Sequence, residues 1–241
     1  MFKVLMPFIT PVLLTLGFWR IFSNPVSIYW IAIASVVLIV LTGKILARHN
    51  FIRFFRLWIN LAVVYIAQVL FMILLTSDSM RYWLAIIWLI IWNVVFWLLY
   101  SYFSKLKDIN DLDYLSFNRF LYYLAFWLLS CSLFYLIVFI NFSVIYSIII
   151  MLIAIYIWSR EIMIFTGEQL PRYFIWLLLL TSLEILLALY LMPLSFYVAG
   201  TIATLWIFFV LELLLLRSRH FIRYLSLFLA VVGFLLISSI L

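Results

Sequence analysis

Apolar residues run along this chain in solid blocks separated by brief polar interruptions, and within the blocks hydrophobic and polar positions do not alternate. Nine such blocks are read as spans, at 4–20, 26–47, 57–76, 82–103, 120–140, 142–159, 173–192, 195–216 and 224–241. Each is long enough to cross a hydrocarbon core about 30 Å thick at a rise of about 1.5 Å per residue. Lipid offers no partner for a peptide N–H or C=O, so a spanning segment must be a helix or a strand of a closed barrel. Barrel strands alternate, and these blocks do not, so helices are expected. The predicted fold is all-α, a polytopic membrane helix bundle forming one transmembrane domain over residues 1–241.

The connections agree with this pattern. The longest polar one, "SKLKDINDLDYLSFNR" at 104–119, is too short for a soluble domain. Those at 140–142 and 192–195 are so short that the spans they join are expected to be antiparallel hairpins. "FTGEQLPRYF" reads as a turn at Gly167 followed by a helix start, where Pro171 lacks only an N–H that has no helical partner anyway. "LGFWRIFSN" has no small-x-small cleavage pattern, so the first span is expected to be retained. Of the five glycines none pairs as GxxxG, which predicts few close helix contacts.

Composition strengthens the membrane reading: 71% of residues are hydrophobic and 10% charged, against roughly 45–50% and about 25% in soluble domains. The distribution of charge then suggests an orientation. With the N-terminus in the cytoplasm, all fifteen Lys and Arg except Arg20 and Arg81 fall on the cytoplasmic side, as positive charge resists translocation. The C-terminus is then outside, and the expected location is the cytoplasmic membrane of a prokaryote. The net charge of +7 is thereby spread over several membrane edges. A nucleic-acid surface would gather it on one face with open aromatic platforms, so no nucleic-acid partner is expected. The single cysteine, Cys131, cannot form an internal disulfide.

Two basic edges resemble one another. "RHNFIRFFR" at 48–56 and "RSRHFIRY" at 217–224 hold both histidines, so that Arg48, His49 and Arg53 match Arg219, His220 and Arg223. Snorkelling arginines within an aromatic belt suit anionic lipid headgroups, the expected partner of these residues. A sharper reading makes them copies in a parallel repeat, able to hold a phosphate by bidentate arginine bonds. A haem between His49 and His220 would need the second and eighth spans to be neighbours, which nothing in the sequence shows, so no cofactor is expected.

Within the spans, Glu184 in "LLTSLEILLALY" draws attention. It follows Arg172 by twelve residues, about 18 Å along a helix, and an ionisable group at that depth usually faces the bundle interior and marks a function. Thr181 shares its face. On the next span Thr201, Thr204, Phe208 and Glu212 follow helical spacing, with Glu212 about 7 Å from the level of Arg217. These residues together suggest an intramembrane polar or proton site, since desolvation raises a carboxyl pKa. The plainer reading is that Glu184 is protonated and bonded across helices to Asn60, Gln68 or Asn93.

Asp108, Asp111 and Asp113 form the acidic cluster of "KDINDLD". Carboxylates at a membrane edge can hold Mg²⁺ against a diphosphate, but Lys105 and Lys107 flank these and no Asp occurs at 48–56 or 160–172, so a solvated loop is expected and no metal. Zinc spacing, a phosphate loop and a nucleophile elbow are absent from the sequence. The leading functional expectation is a small transporter or permease-like protein with Glu184 as a candidate proton site. The alternatives are a non-catalytic subunit or scaffold that works with other protein subunits or as a homo-oligomer, and a lipid-modifying enzyme. A cavity reaching Glu184 would favour transport, a dry bundle with an open helix face the subunit, and a metal at the acidic cluster the enzyme.

Overall fold

The computed structural model describes residues 2–47, 55–104, 112–166, 172–216, 226 and 228–233. Among them the chain forms eight α-helices and a single 3-10 turn at Pro25–Ser27. The helices are α1 (Phe2–Ser23), α2 (Ile28–Ala47), α3 (Phe55–Leu74), α4 (Asp78–Ser104), α5 (Leu112–Ile140), α6 (Val144–Thr166), α7 (Arg172–Leu191) and α8 (Phe196–Leu216). Six of them, α1 to α5 and α7, are long and apolar enough to cross a membrane. The apolar stretches Val144–Arg160 of α6 and Phe196–Leu211 of α8 are shorter. Apart from short connections the described residues are thus all helical, as suits a membrane protein. Of the ninth expected span, residues 226 and 228–233 are helical and the rest lies outside the described residues.

Local chemistry sets the helix ends. Ser77 caps α4, its Oγ accepting the Met80 N–H at 3.5 Å, and Asp78 in the first turn pairs with Arg81 at 3.0 Å. That exposed pair contributes at most about 0.5 kcal/mol. α5 ends at Asn141, which takes the left-handed conformation (φ 55°) that asparagine tolerates better than most residues. The next N–H, of Phe142, turns back to the Leu136 carbonyl at 3.1 Å and closes the α5–α6 hairpin. Ser195 caps α8 through the Val198 N–H at 3.4 Å, just after Pro193 has ended the preceding helix. Part of the expected polar connection at 104–119 is helical: 112–119, with Asp113, belong to α5, and 105–111 lie outside the described residues.

The chain divides into two compact units, Met1–Tyr114 and Leu115–Leu241. In the first, α1 packs on α4 and α2, and α2 packs on α3. Pro7 and Pro11 lie inside α1, where each removes one helical N–H; the Thr15 hydroxyl donates to the Pro11 carbonyl at 2.9 Å. Gly43 of α2 lies flat against the Trp58 indole of α3. In the second unit α7 packs between α6 and α8, which also touch each other. Tyr122 of α5 stacks on Trp158 of α6 with ring centres 6.3 Å apart. Gly200 brings the backbone of α8 onto α5: a methyl group there would stand 2.8 Å from the Cys131 backbone nitrogen. Close helix contacts therefore exist without any GxxxG pair, made by single glycines each facing one partner.

Candidate functional site

A helix in lipid gains nothing from hiding its leucines, so packing and hydrogen bonding decide which way it faces. α7 illustrates this. Its buried face carries Leu178, Ser182, Leu186 and Leu189. The opposite face carries Tyr173, Leu177, Leu180, Leu187 and Leu191, all exposed, and Glu184 is exposed among them. Only 22% of the apolar window of α7 is buried, against 67% of that of α3, so α7 is a peripheral helix with most of its surface free.

The expectation that Glu184 faces the interior is therefore corrected. It lies twelve residues after Arg172, about 18 Å along the helix, and makes no hydrogen bond or ion pair with any described residue. The side chains considered as its interior partners are otherwise placed. Gln68 Oε1 accepts the Trp92 indole N–H at 2.8 Å, and Asn93 donates to the Leu89 carbonyl of its own helix at 2.8 Å. Asn60 is buried, with its Nδ2 unpartnered.

The hydroxyls proposed as its companions are committed to helix carbonyls. Thr181 donates to the Leu177 and Leu178 carbonyls at 3.0 and 3.2 Å, Thr204 to the Gly200 carbonyl at 2.8 Å, and Thr201 to the Tyr197 carbonyl at 2.7 Å. Thr201 also accepts the Trp127 indole N–H at 3.0 Å, which ties α8 to α5. Of the three, only Thr201 is joined to another helix by one of these bonds; Thr181 and Thr204 are bonded within their own helices. Glu212 belongs to α8, but its side chain lies outside the described residues. Arg48, His49, Arg53, Arg219, His220 and Arg223 lie outside them too, as do Asp108 and Asp111.

No family model, no curated protein and no solved structure matches this chain. Its own geometry is thus the basis for any functional reading.

A buried polar set in the first unit was not anticipated. Ser35 Oγ donates to Tyr65 Oη at 3.0 Å, and Tyr65 Oη donates onward to the Leu14 carbonyl at 3.3 Å, so one phenol joins α1, α2 and α3. Thr42 donates to the Leu38 carbonyl at 2.8 Å, so its oxygen accepts in the 2.9 Å contact with Thr10. Four hydroxyl side chains within apolar spans were the available signal. Each pair satisfies itself, which is how polar groups hold membrane helices together. Tyr65→Phe is expected to lower thermal stability in detergent by about 1 kcal/mol, and adding Ser35→Ala to cost less than it does alone, because the two share one bond.

A narrow crevice between α5, α6 and α8 opens to the surface and has a cavity volume of only about 10 Å³. Tyr122, Phe126, Ile155, Trp158 and Ile207 form most of its wall, and Glu184 does not reach it. Among the described residues no cluster of His, Cys, Asp and Glu has the form of a metal site.

Proposed function

We propose that this protein is an integral-membrane subunit or scaffold that works by helix-to-helix assembly, with the outward face of α7 as its docking surface. One observation carries this reading: Glu184 stands near the middle of an apolar helix, on its exposed face, without a hydrogen-bond or ion-pair partner among the described residues. A carboxyl group there is costly in lipid and is relieved when another helix covers it. A self-contained transporter draws less support, because Thr181, Thr201 and Thr204 donate to carbonyls of their own helices. In this reading the basic stretches with Arg48, His49, Arg53, Arg219, His220 and Arg223 rest against anionic headgroups of a cytoplasmic membrane and fix how deeply the bundle sits.

The test is the size of the protein as it exists in its own membrane. Extracted at native abundance into lipid nanodiscs and weighed by native mass spectrometry, it is expected in a complex heavier than the 28.8 kDa chain. A lone chain with bound lipid would overturn the proposal.

A further inference from the structure

We infer that the crevice between α5, α6 and α8 is the seat of one glycerophospholipid, which lays an ester carbonyl into it and its phosphate against Arg119 and Arg160. The seat lies within the second unit, apart from the exposed face of α7, and stands without the assembly reading. Two polar side chains of its wall point to such a ligand. Ser159 has no exposed surface and Trp158 is 3% exposed, yet the Ser159 hydroxyl and the Trp158 indole N–H have no hydrogen-bond partner among the described residues. Ser130 and Ser132 of α5, also fully buried, each donate to a carbonyl of their own helix at 2.7 Å. An orphaned donor costs free energy in an apolar medium, so the group that completes this wall brings an acceptor. A rotation about χ1 turns the Ser159 hydroxyl to meet it.

Depth and charge name the acceptor. The α5–α6 hairpin turns back at Asn141, so the start of α5 and the end of α6 lie at one end of the unit, where Tyr122 stacks on Trp158. No charged residue occurs at 120–140 or 144–159, so Arg119 and Arg160 mark the level at which the two helices leave the apolar layer. Tyr122 follows Arg119 by three residues and Ser159 precedes Arg160 by one, which sets the near wall of the crevice about one helical turn inside that level. The ester carbonyls of a glycerophospholipid lie just inside its phosphate, at the depth where Tyr and Trp gather. Arg160 is exposed, with Nη1 donating to Tyr156 Oη at 3.4 Å, and a guanidinium fork can bind a phosphate while it holds such a bond. The volume of about 10 Å³ is room for about one oxygen or methylene group, so the crevice grips the carbonyl while the chains and headgroup lie along its open side.

The whole chain, stripped of lipid in detergent and given palmitoyl-oleoyl phosphatidylglycerol, tests the seat by native mass spectrometry. One lipid is expected to stay bound when the rest are removed by collisional activation. Arg119→Gln with Arg160→Gln should lower its occupancy about tenfold and Ser159→Ala about threefold, while Arg81→Gln, in the first unit, should leave it unchanged. Ser159→Ala breaks no hydrogen bond among the described residues, so it keeps the test open should the arginine pair be needed for folding. Dioleoylglycerol, which has the esters without the phosphate, and inorganic phosphate, which has neither ester nor chain, should each be held at least about tenfold less well. Equal retention of phosphatidylglycerol by the wild type and the Ser159 and arginine variants would overturn the seat. So would dioleoylglycerol held as tightly as the phospholipid, or a chain that keeps no lipid and fills the crevice with water alone.

Discussion

Gly43→Ala is expected to destabilise the first helical unit by about 1–3 kcal/mol although it adds only a methyl group. The added carbon would fall within the Trp58 indole, 2.6 Å from Cε2 and 2.7 Å from Cγ. An exposed side chain would swing away, but Trp58 has no exposed surface, and its ring is stacked on Phe103 with centres 6.0 Å apart. Either α2 moves off α3 or the indole leaves its rotamer, and both disturb the packing on which membrane helices depend. Trp58→Ala alone should cost about 3–5 kcal/mol through the cavity it opens. The informative variant is the pair. Trp58→Ala removes the ring atoms that the new methyl group would strike, so Gly43→Ala in that background should cost clearly less than in the wild type. Thermal unfolding of the four proteins in one detergent checks this. A full additional loss in the double variant would mean that the glycine serves helix flexibility instead of the contact with Trp58.

How far the fold was legible depended on what hydropathy reports. The positions of α1 to α8 follow from the apolar blocks, because each peptide group in lipid must be bonded within its own helix. The ends were less legible. Residues 104–119 read as a connection because they are polar, yet nothing in "LDYLSFNR" stops a helix, and 112–119 belong to α5. Likewise α6 runs on through "REIMIFT" to Thr166, past the expected end of the span at 159.

The direction in which Glu184 points could not be read at all. In water a helix announces its core face by a stripe of apolar residues, but α7 is leucine-rich all round and lipid rewards both faces equally. The general expectation that an intramembrane acid faces inward failed here for that reason. What does distinguish the two faces of α7 is which residues pack against α6 and α8, and that is a tertiary fact. The bonding of Thr201 is tertiary in part as well: its bond to the carbonyl four residues back is local, like that of Thr204, but the Trp127 contact comes from another helix.

Glu184→Leu separates assembly from folding by moving them in opposite directions. In a single chain, exchanging a mid-span acid on the exposed face for leucine removes an unfavourable transfer into lipid on the order of 2–3 kcal/mol. It breaks no bond, since no described residue is bonded to Glu184. The variant should therefore insert and resist heating in detergent at least as well as the wild type, while its complex in nanodiscs is lost or much reduced. Most substitutions at buried positions weaken folding first and lose partners as a consequence. A gain in monomer stability with a loss of assembly is the pattern expected of a residue that costs the fold energy in order to recruit a neighbour. If instead the variant unfolds earlier, Glu184 supports its own chain and the docking role is wrong. If both stability and complex are unchanged, the exposed face of α7 is simply lipid-facing, and Glu184 recruits no protein partner there.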